Sequence, residues 1–189
     1  GFAGGAGQGD MGEASVAKGQ AAYKALKYAH FPVVSAPAGL ALGGGCEMLL
    51  HSDAVQAHAE TYAGLVECGV GLVPGWGGNG EMLDRWTKSG MLPKGPMPVL
   101  TKVFTSISTA VVAKSAAEAK EMMILRKDDG NTMNRDRLLA DARAQALPQV
   151  GGYVAPDKPH VPPRVSHGRA GPHIGAAGTR KSTAQHTPG

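Results

Sequence analysis

Glu67 is a single acidic residue in an apolar, glycine-rich stretch that runs from residue 65 to residue 78. Carboxylates are rarely buried unless they are paired or functional, and burial raises the pKa of a carboxyl group toward the range that suits proton transfer. The stretch therefore indicates an acid/base residue. The structural alternative is a carboxylate that reaches solvent from a surface loop.

Three consecutive glycines, residues 43–45, stand directly before Cys46 and Glu47, where a helical pattern begins. A helix that begins here presents unpaired backbone N–H groups and the positive end of its dipole, and both favour a developing negative charge. The missing side chains also allow a ligand carbonyl to approach closely. The alternative is a glycine hinge that only permits tight packing of a helix on a strand.

Gly7, Gly9 and Gly12 have the spacing of a dinucleotide-binding fingerprint. That fingerprint has meaning only between a strand and a helix of a βαβ unit, and no strand pattern precedes these glycines. We interpret them as a flexible loop.

The elements that must position the two glutamates alternate between helix and strand. Apolar runs at 32–36 and 53–58 predict neighbouring parallel strands, and the segment at about 44–52 predicts the helix that joins them. Further helices are predicted at 13–29, 79–89, 97–113, 115–125 and 134–147. This pattern indicates an α/β fold.

Two of these helices carry end signals. Ser115 and Glu118 form a capping box at the start of one helix. Asn134 is expected to cap the last helix, and Pro148 is expected to end it.

The formal net charge of the 189-residue chain is +4, and its excess lies after residue 150. Residues 1–150 carry 14 basic and 14 acidic side chains, whereas residues 151–189 carry five basic side chains and one acidic one. The second segment is rich in glycine, proline and histidine and poor in large apolar residues, so we predict a domain at 1–150 and a disordered basic tail at 151–189. A tail that touches RNA or a membrane is the alternative, although only Tyr153 adds an aromatic ring to its charges.

Several classes of protein are not expected. The sequence has no run of 18 apolar residues, and its first residues lack the basic and apolar segments of a signal peptide. Cys46 and Cys68 are too few for a disulfide scaffold and lack metal-ligand spacing. We therefore expect no metal and no nucleic-acid or membrane partner, in a reducing cytoplasmic setting.

Three segments together resemble the crotonase (enoyl-CoA hydratase/isomerase) family, in order and in approximate spacing. They are FAGGAG at 2–7, PVVSAPAGLALGGGCE at 32–47 and ECGVGLVPGWGG at 67–78, with Asp53 between the last two. The resemblance extends over about residues 2–125 and looks most like the hydratase part of bacterial proteins that also carry a 3-hydroxyacyl-CoA dehydrogenase. It implies a crotonase-like ββα spiral, truncated at its N-terminus, with C-terminal helices. The chain looks like a fragment of such a protein.

The resemblance also implies roles for individual residues. In this family two backbone N–H groups polarise the thioester carbonyl of an acyl-CoA, and the matching positions here are Ala6 and Gly44. Hydratases of the family use two glutamates, which match Glu47 and Glu67. We assign Glu47 to the attacking water and Glu67 to the proton at the α-carbon.

Gly43 and Gly75 match glycines that line the substrate site of the family. Two positions depart from the family pattern, because Gly7 stands where Asp or Asn is common and Val66 stands where proline is common. The first departure removes a side chain that fixes the loop after Ala6.

The implied reaction is hydration of trans-2-enoyl-CoA to 3-hydroxyacyl-CoA in fatty-acid β-oxidation. Isomerases of the family need only one carboxylate, so two glutamates favour a hydratase. The coenzyme A thioester is then the substrate, no separate cofactor is expected, and the family implies a homo-oligomer, trimer or hexamer. The alternatives are a non-catalytic assembly or binding module and part of a multifunctional 3-hydroxyacyl-CoA dehydrogenase, although the sequence shows no Rossmann unit.

Overall fold

A computed structural model describes residues 9–158, with side chains from Gly12 onward. Its α-helices in that range are α1 Gly9–Lys27, α2 Gly44–His51, α3 Gly78–Ser89, α4 Pro96–Ser108, α5 Ala116–Glu121 and α6 Leu138–Val150. Its strands are β1 Val34–Ser35, β2 Leu40–Leu42, β3 Ala54–His58, β4 Tyr62–Gly64 and β5 Gly130–Thr132. Short 3₁₀ helices lie at Glu67–Val70 and Arg135–Arg137. None of the helices in the described range is long and apolar enough to cross a membrane.

The strands form two small parallel sheets, with the orders β1-β3-β5 and β2-β4. Val34 of β1 is paired with Ala54 of β3, and the two strands are parallel. This confirms the prediction of two neighbouring parallel strands with α2 between them in sequence. The first strand is shorter than predicted, because the N–H of Val33 donates to the carboxylate of Asp53 rather than to a strand.

The core is built mainly from aliphatic side chains of α2, α3, α4 and the strands. Leu50 of α2 and Val55 of β3 are completely buried, and Trp86 of α3 is the large aromatic ring of this core. Residues of α2 thus contact both the sheets and α3. These contacts fix the position of the helix and of the glycines at its start.

A buried arginine connects α2 to α3. The Arg85 guanidinium donates hydrogen bonds to the carbonyl of Leu50 at 3.0 Å and to that of Ile124 at 2.5 Å. Burial lowers the pKa of Arg85 to about 10, so the group stays charged at neutral pH. Its bond to Leu50 satisfies a carbonyl group at the end of α2 and fixes α3 relative to that helix, and its bond to Ile124 joins both to the segment after α5.

Several predicted helix ends differ in the structure. The helix predicted at 97–113 ends at Ser108, because the chain turns at Ala110 (φ 51°) and Ala113 then pairs with Ala63. The prediction that Pro148 ends the last helix is wrong, since α6 continues to Val150. A proline this close to the end of a helix removes a single hydrogen bond and is tolerated there.

The two cap predictions have different outcomes. The capping box is confirmed, because the Ser115 hydroxyl accepts a bond from the Glu118 N–H at 3.1 Å. Asn134 caps the short 3₁₀ helix, accepting from the N–H of Asp136 at 2.9 Å, and α6 begins three residues later than the cap prediction implied.

The compact unit that holds these elements runs to Asp157, seven residues beyond the predicted boundary at 150. The Tyr153 hydroxyl donates to the Asp53 carboxylate at 2.9 Å. Val154 and Pro156 help to line a cleft of about 560 Å³. The start of the predicted tail thus contacts the folded body through Tyr153, although most of residues 151–157 are exposed, and the tail after Lys158 falls outside the described residues.

Candidate active site

Gly43 and Gly44 form the turn between β2 and α2. Gly43 has φ 55° and ψ −124°, a conformation that side chains with a Cβ rarely adopt, and a Cβ there would lie 3.2 Å from Oε1 of Glu67. Its carbonyl accepts from the N–H of Glu47 and closes the first helical turn. The N–H of Gly44 belongs to the first turn of α2, where backbone donors have no partner within the helix and the helix dipole is positive.

Glu47 lies one turn into α2 and is 1% exposed. Its Oε1 atom accepts two backbone hydrogen bonds, from the N–H of Trp76 at 3.0 Å and from that of Gly78 at 2.9 Å. Gly78 is the first residue of α3, so the carboxylate also faces the positive end of that helix. Both bonds go to Oε1, which leaves Oε2 for a water or a substrate.

Glu67 begins the 3₁₀ helix after β4 and has a different environment. Its Oε2 atom is buried and has no hydrogen-bond partner among the described residues. Burial raises the pKa of the Glu67 carboxyl group, and the charge of Glu47 raises it further, whereas backbone hydrogen bonds act in the opposite direction. The two glutamates thus differ, since Oε1 of the fully buried Glu47 accepts two backbone hydrogen bonds, whereas Oε2 of the partly buried Glu67 has no hydrogen-bond partner among the described residues.

The two carboxylates act on the same neighbour, the hydroxyl group of Tyr23. Burial raises the pKa of Tyr23, and the charges of Glu47 and Glu67 add to that effect. The hydroxyl donates to the carbonyl of Gly44 at 2.9 Å. The structure therefore brings the predicted helix start and both predicted glutamates together around one side chain of α1.

Two predicted site residues remain, Gly75 and Ala6. Gly75 immediately precedes Trp76, and its carbonyl accepts from the Gln20 side chain at 2.8 Å. Ala6, the second predicted oxyanion donor, lies outside the described residues. Among residues 9–158, no three His, Cys, Asp or Glu side chains are close enough together to hold a metal ion.

Comparison with known proteins adds a family to this geometry. Residues 2–88 match the sequence model described as Enoyl-CoA hydratase/isomerase. The chain is 46% identical over 121 residues to a protein of Bacillus subtilis (strain 168) named "Probable 3-hydroxyacyl-CoA dehydrogenase", an alignment that covers 64% of this chain and 15% of that protein. Over residues 2–88 the chain is similar to the enoyl-CoA hydratase/isomerase family.

A curated hydratase and a solved structure are also similar to this chain. The "Short-chain-enoyl-CoA hydratase" of Clostridium acetobutylicum is 37% identical over 73 residues, which are 39% of this chain and 28% of that protein. The crystal structure of an enoyl-CoA hydratase from Bacillus anthracis superposes with a TM-score of 0.61 at 24% identity, covering 76% of this chain and 49% of that one. The predicted crotonase-like α/β fold is confirmed.

The chain spans only part of the length of these relatives. It covers 15% of the Bacillus subtilis protein and about half of the Bacillus anthracis hydratase. The activities of those whole proteins are therefore matters of proposal for this chain.

Four contacts of the site were not predicted from the sequence. They are the two backbone donors to Glu47, the bond from Tyr23 to Gly44, and the bond that the His51 imidazole Nδ1 donates to the carbonyl of Glu47 at 2.7 Å. Of these contacts, only the one made by His51 could have been predicted from the sequence, because His51 follows Glu47 by four residues and so lies on the same face of the helix. The other contacts join segments that are distant in sequence.

Proposed function

We propose that this chain provides the acid/base residues for hydration of trans-2-enoyl-CoA to 3-hydroxyacyl-CoA. The observation that carries the proposal is a pair of unlike carboxylates beside the start of α2: Oε1 of Glu47 accepts two backbone hydrogen bonds, whereas Oε2 of Glu67 is buried and has no partner among the described residues. Groups of one chemical type whose environments differ in this way are suited to opposite proton-transfer duties. Names of relatives, such as the short-chain hydratase, support the same reaction class.

In the proposed mechanism the thioester oxygen accepts a hydrogen bond from the Gly44 N–H. Oxyanion donors of this kind contribute about 3–4 kcal/mol in other enzymes. Ala6 is proposed as the second donor.

Glu47 takes a proton from water as the water oxygen bonds to the β-carbon. The electrons of the double bond move toward the thioester oxygen and give an enolate-like species. Glu67, whose carboxyl pKa is raised by burial, then delivers a proton to the α-carbon. Exchange of protons with solvent returns both glutamates to their starting states. Gly43 and Gly75 are proposed to line the space where the acyl group lies.

The test is loss of crotonyl-CoA absorbance on addition of the purified chain, for the wild type and for Glu67→Gln and Glu47→Gln. Each substitution preserves size but removes the exchangeable proton, so we expect turnover to fall by about 10²–10⁴-fold. Glu60→Gln, a change at an exposed acid, is the matched control and should leave turnover unchanged. Full activity of Glu67→Gln would contradict the assignment.

Deuterium exchange at the α-carbon separates the two duties. Glu47→Gln should retain part of this exchange, because Glu67 handles the α-proton, whereas Glu67→Gln should lose it. Binding of acyl-CoA without hydration or exchange by the wild type would instead favour the non-catalytic binding module. A trimeric or hexameric assembly and a role within a larger β-oxidation protein extend the same proposal.

A further inference from the structure

The indole of Trp76 lies in a slot between α1 and α2. A Cβ added at Gly44 would be 2.5 Å from Cζ3 of the indole, and one added at Gly19 would be 2.1 Å from its Nε1. Both distances are far below van der Waals contact, so the ring lies directly on the backbones of two helices. The slot exists because both helices have a glycine where they face the ring.

Contacts around the slot fix the position of the ring. The Tyr23 ring packs beside the indole, with centroids 5.3 Å apart and an angle of 59° between the ring planes. Gln20 of α1 donates to the carbonyl of Gly75, which precedes Trp76 in the chain. The backbone N–H of Trp76 donates to Glu47. Side chain and backbone of Trp76 are therefore held by different partners, and the ring cannot leave the slot without disturbing α1.

The slot is adjacent to the atoms that the proposed reaction uses. The indole contacts Gly44, whose N–H is the proposed donor to the thioester oxygen, and Trp76 itself is bonded to Glu47, the proposed base. An acyl group whose carbonyl oxygen is at Gly44 would therefore have the indole as a neighbour. The ring occupies the gap between Gly19 of α1 and Gly44 of α2.

We propose that Trp76 is a specificity-determining residue that closes this gap and restricts the substrate to short-chain acyl-CoA. This inference rests on the proposed function, because it takes the acyl carbonyl to be at Gly44. Removal of the indole leaves a slot bounded by Gly19 and Gly44, two residues without a Cβ. Each methylene of a longer chain that becomes buried there strengthens binding about fourfold.

The test measures binding of butyryl-CoA and octanoyl-CoA by calorimetry, using the purified 189-residue chain. Both ligands are saturated and are not turned over. We expect the wild type to bind butyryl-CoA more tightly, and Trp76→Ala to shift the ratio of affinities toward octanoyl-CoA by about tenfold or more, which corresponds to burial of two methylene groups. Val73→Ala changes an exposed apolar side chain of the same loop and should leave the ratio unchanged.

Trp76→Phe keeps a ring in the slot and provides a second measure if the alanine variant does not fold, as judged by circular dichroism. The smaller ring should shift the ratio about twofold to fourfold in the same direction. An unchanged ratio in both folded variants, or in the phenylalanine variant alone when the alanine variant is unfolded, overturns the inference.

Hydration of crotonyl-CoA, measured in parallel, separates this inference from the proposed function. A chain that hydrates crotonyl-CoA but whose affinity ratio does not respond to Trp76 overturns only the role of the indole. A chain that shows the shifted ratio without hydration overturns only the reaction. Failure of the folded wild type to bind either acyl-CoA overturns both.

Discussion

The carboxylate of Glu47 accepts a hydrogen bond from the backbone N–H of Gly78 at 2.9 Å, across 31 positions of sequence. This bond joins a side chain near the start of α2 to the first residue of α3. Glycine is required at the donor position, because a Cβ on Gly78 would lie 2.9 Å from Cγ of Glu47 and 2.9 Å from Cδ2 of Leu65.

Gly78→Ala should therefore displace the Glu47 carboxylate. We expect hydration of crotonyl-CoA to fall by about 10²-fold, since small misplacements of reacting groups have effects of this size, and the free energy of unfolding to fall by about 1–3 kcal/mol from overpacking. Gly80→Ala is the matched control on the same helix, because nothing lies within 4 Å of its added Cβ. It should leave turnover unchanged and should change the free energy of unfolding by no more than about 1 kcal/mol. Equal effects of the two substitutions would contradict this account.

Glu67 makes the stability of the fold depend on pH. Its folded-state pKa is raised above the ordinary 4.5, so the folded state binds the proton more tightly than the unfolded state does. The associated stability is present below pH 4.5 and is lost as the pH rises through the folded-state value. Glu67→Gln cannot ionise, so its free energy of unfolding relative to the wild type should increase from about pH 4 to about pH 7.

Urea unfolding of both proteins across that pH range measures the difference. Glu60→Gln again serves as the control, since Glu60 is exposed. A constant difference between Glu67→Gln and the wild type at all pH values would show that Glu67 is solvated in the folded protein.

Tyr23 is expected to position the start of α2. Tyr23→Phe keeps the ring that packs on His51 and Trp76 but removes the bond to the Gly44 carbonyl. We expect a loss of about 1 kcal/mol in the free energy of unfolding. Turnover should fall while the KM for crotonyl-CoA changes little, because the effect on the Gly44 donor matters most when the oxyanion forms. Tyr62→Phe, at a ring that is 41% exposed, is the control.

The position of the C-terminal boundary predicts different results for two truncations. A chain that ends after Val150 loses the bond from Tyr153 to Asp53, worth about 1 kcal/mol, and its Tm should fall by about 2–4 °C. A chain that ends after Asp157 keeps that bond, so its Tm should lie about 2–4 °C above that of the chain that ends after Val150. Thermal unfolding followed by circular dichroism compares them, and Tyr153→Phe in the full chain should reproduce part of the first loss. Equal Tm values for the two truncations would show that residues 151–157 add no stability.

Local patterns predicted the part of the fold in which neighbouring residues determine the structure. The unit from β1 to β3 follows from two apolar runs and three glycines, and the capping box at Ser115 follows from a spacing of three residues. The partner of β3 did not follow, because β5 pairs Gln56 with Gly130 and has only three residues, of which Thr132 alone is β-branched. A parallel strand supplied from so far along the chain leaves no local signal.

The sequence likewise predicted only part of the candidate site. Glu67 was visible in the sequence because an acid among apolar residues and glycines is unusual, and Glu47 was found through the resemblance to the crotonase family. The donors to Glu47 were not visible, because every residue except proline has a backbone N–H and only the fold decides where it points. The slot for Trp76 depends on Gly19 and Gly44, which lie on different helices, so neither glycine reveals the contact by itself.

Glu47 accepts hydrogen bonds from backbone groups rather than from side chains, and this affects how the site can differ between relatives. Trp76 contributes its N–H to the proposed base and its indole to the slot between the helices. A change of side chain at this position alters the shape offered to the acyl group and leaves the donor in place, unless proline is introduced. Preference for a substrate can therefore drift during evolution by single replacements at position 76 while the chemistry at Glu47 is inherited unchanged.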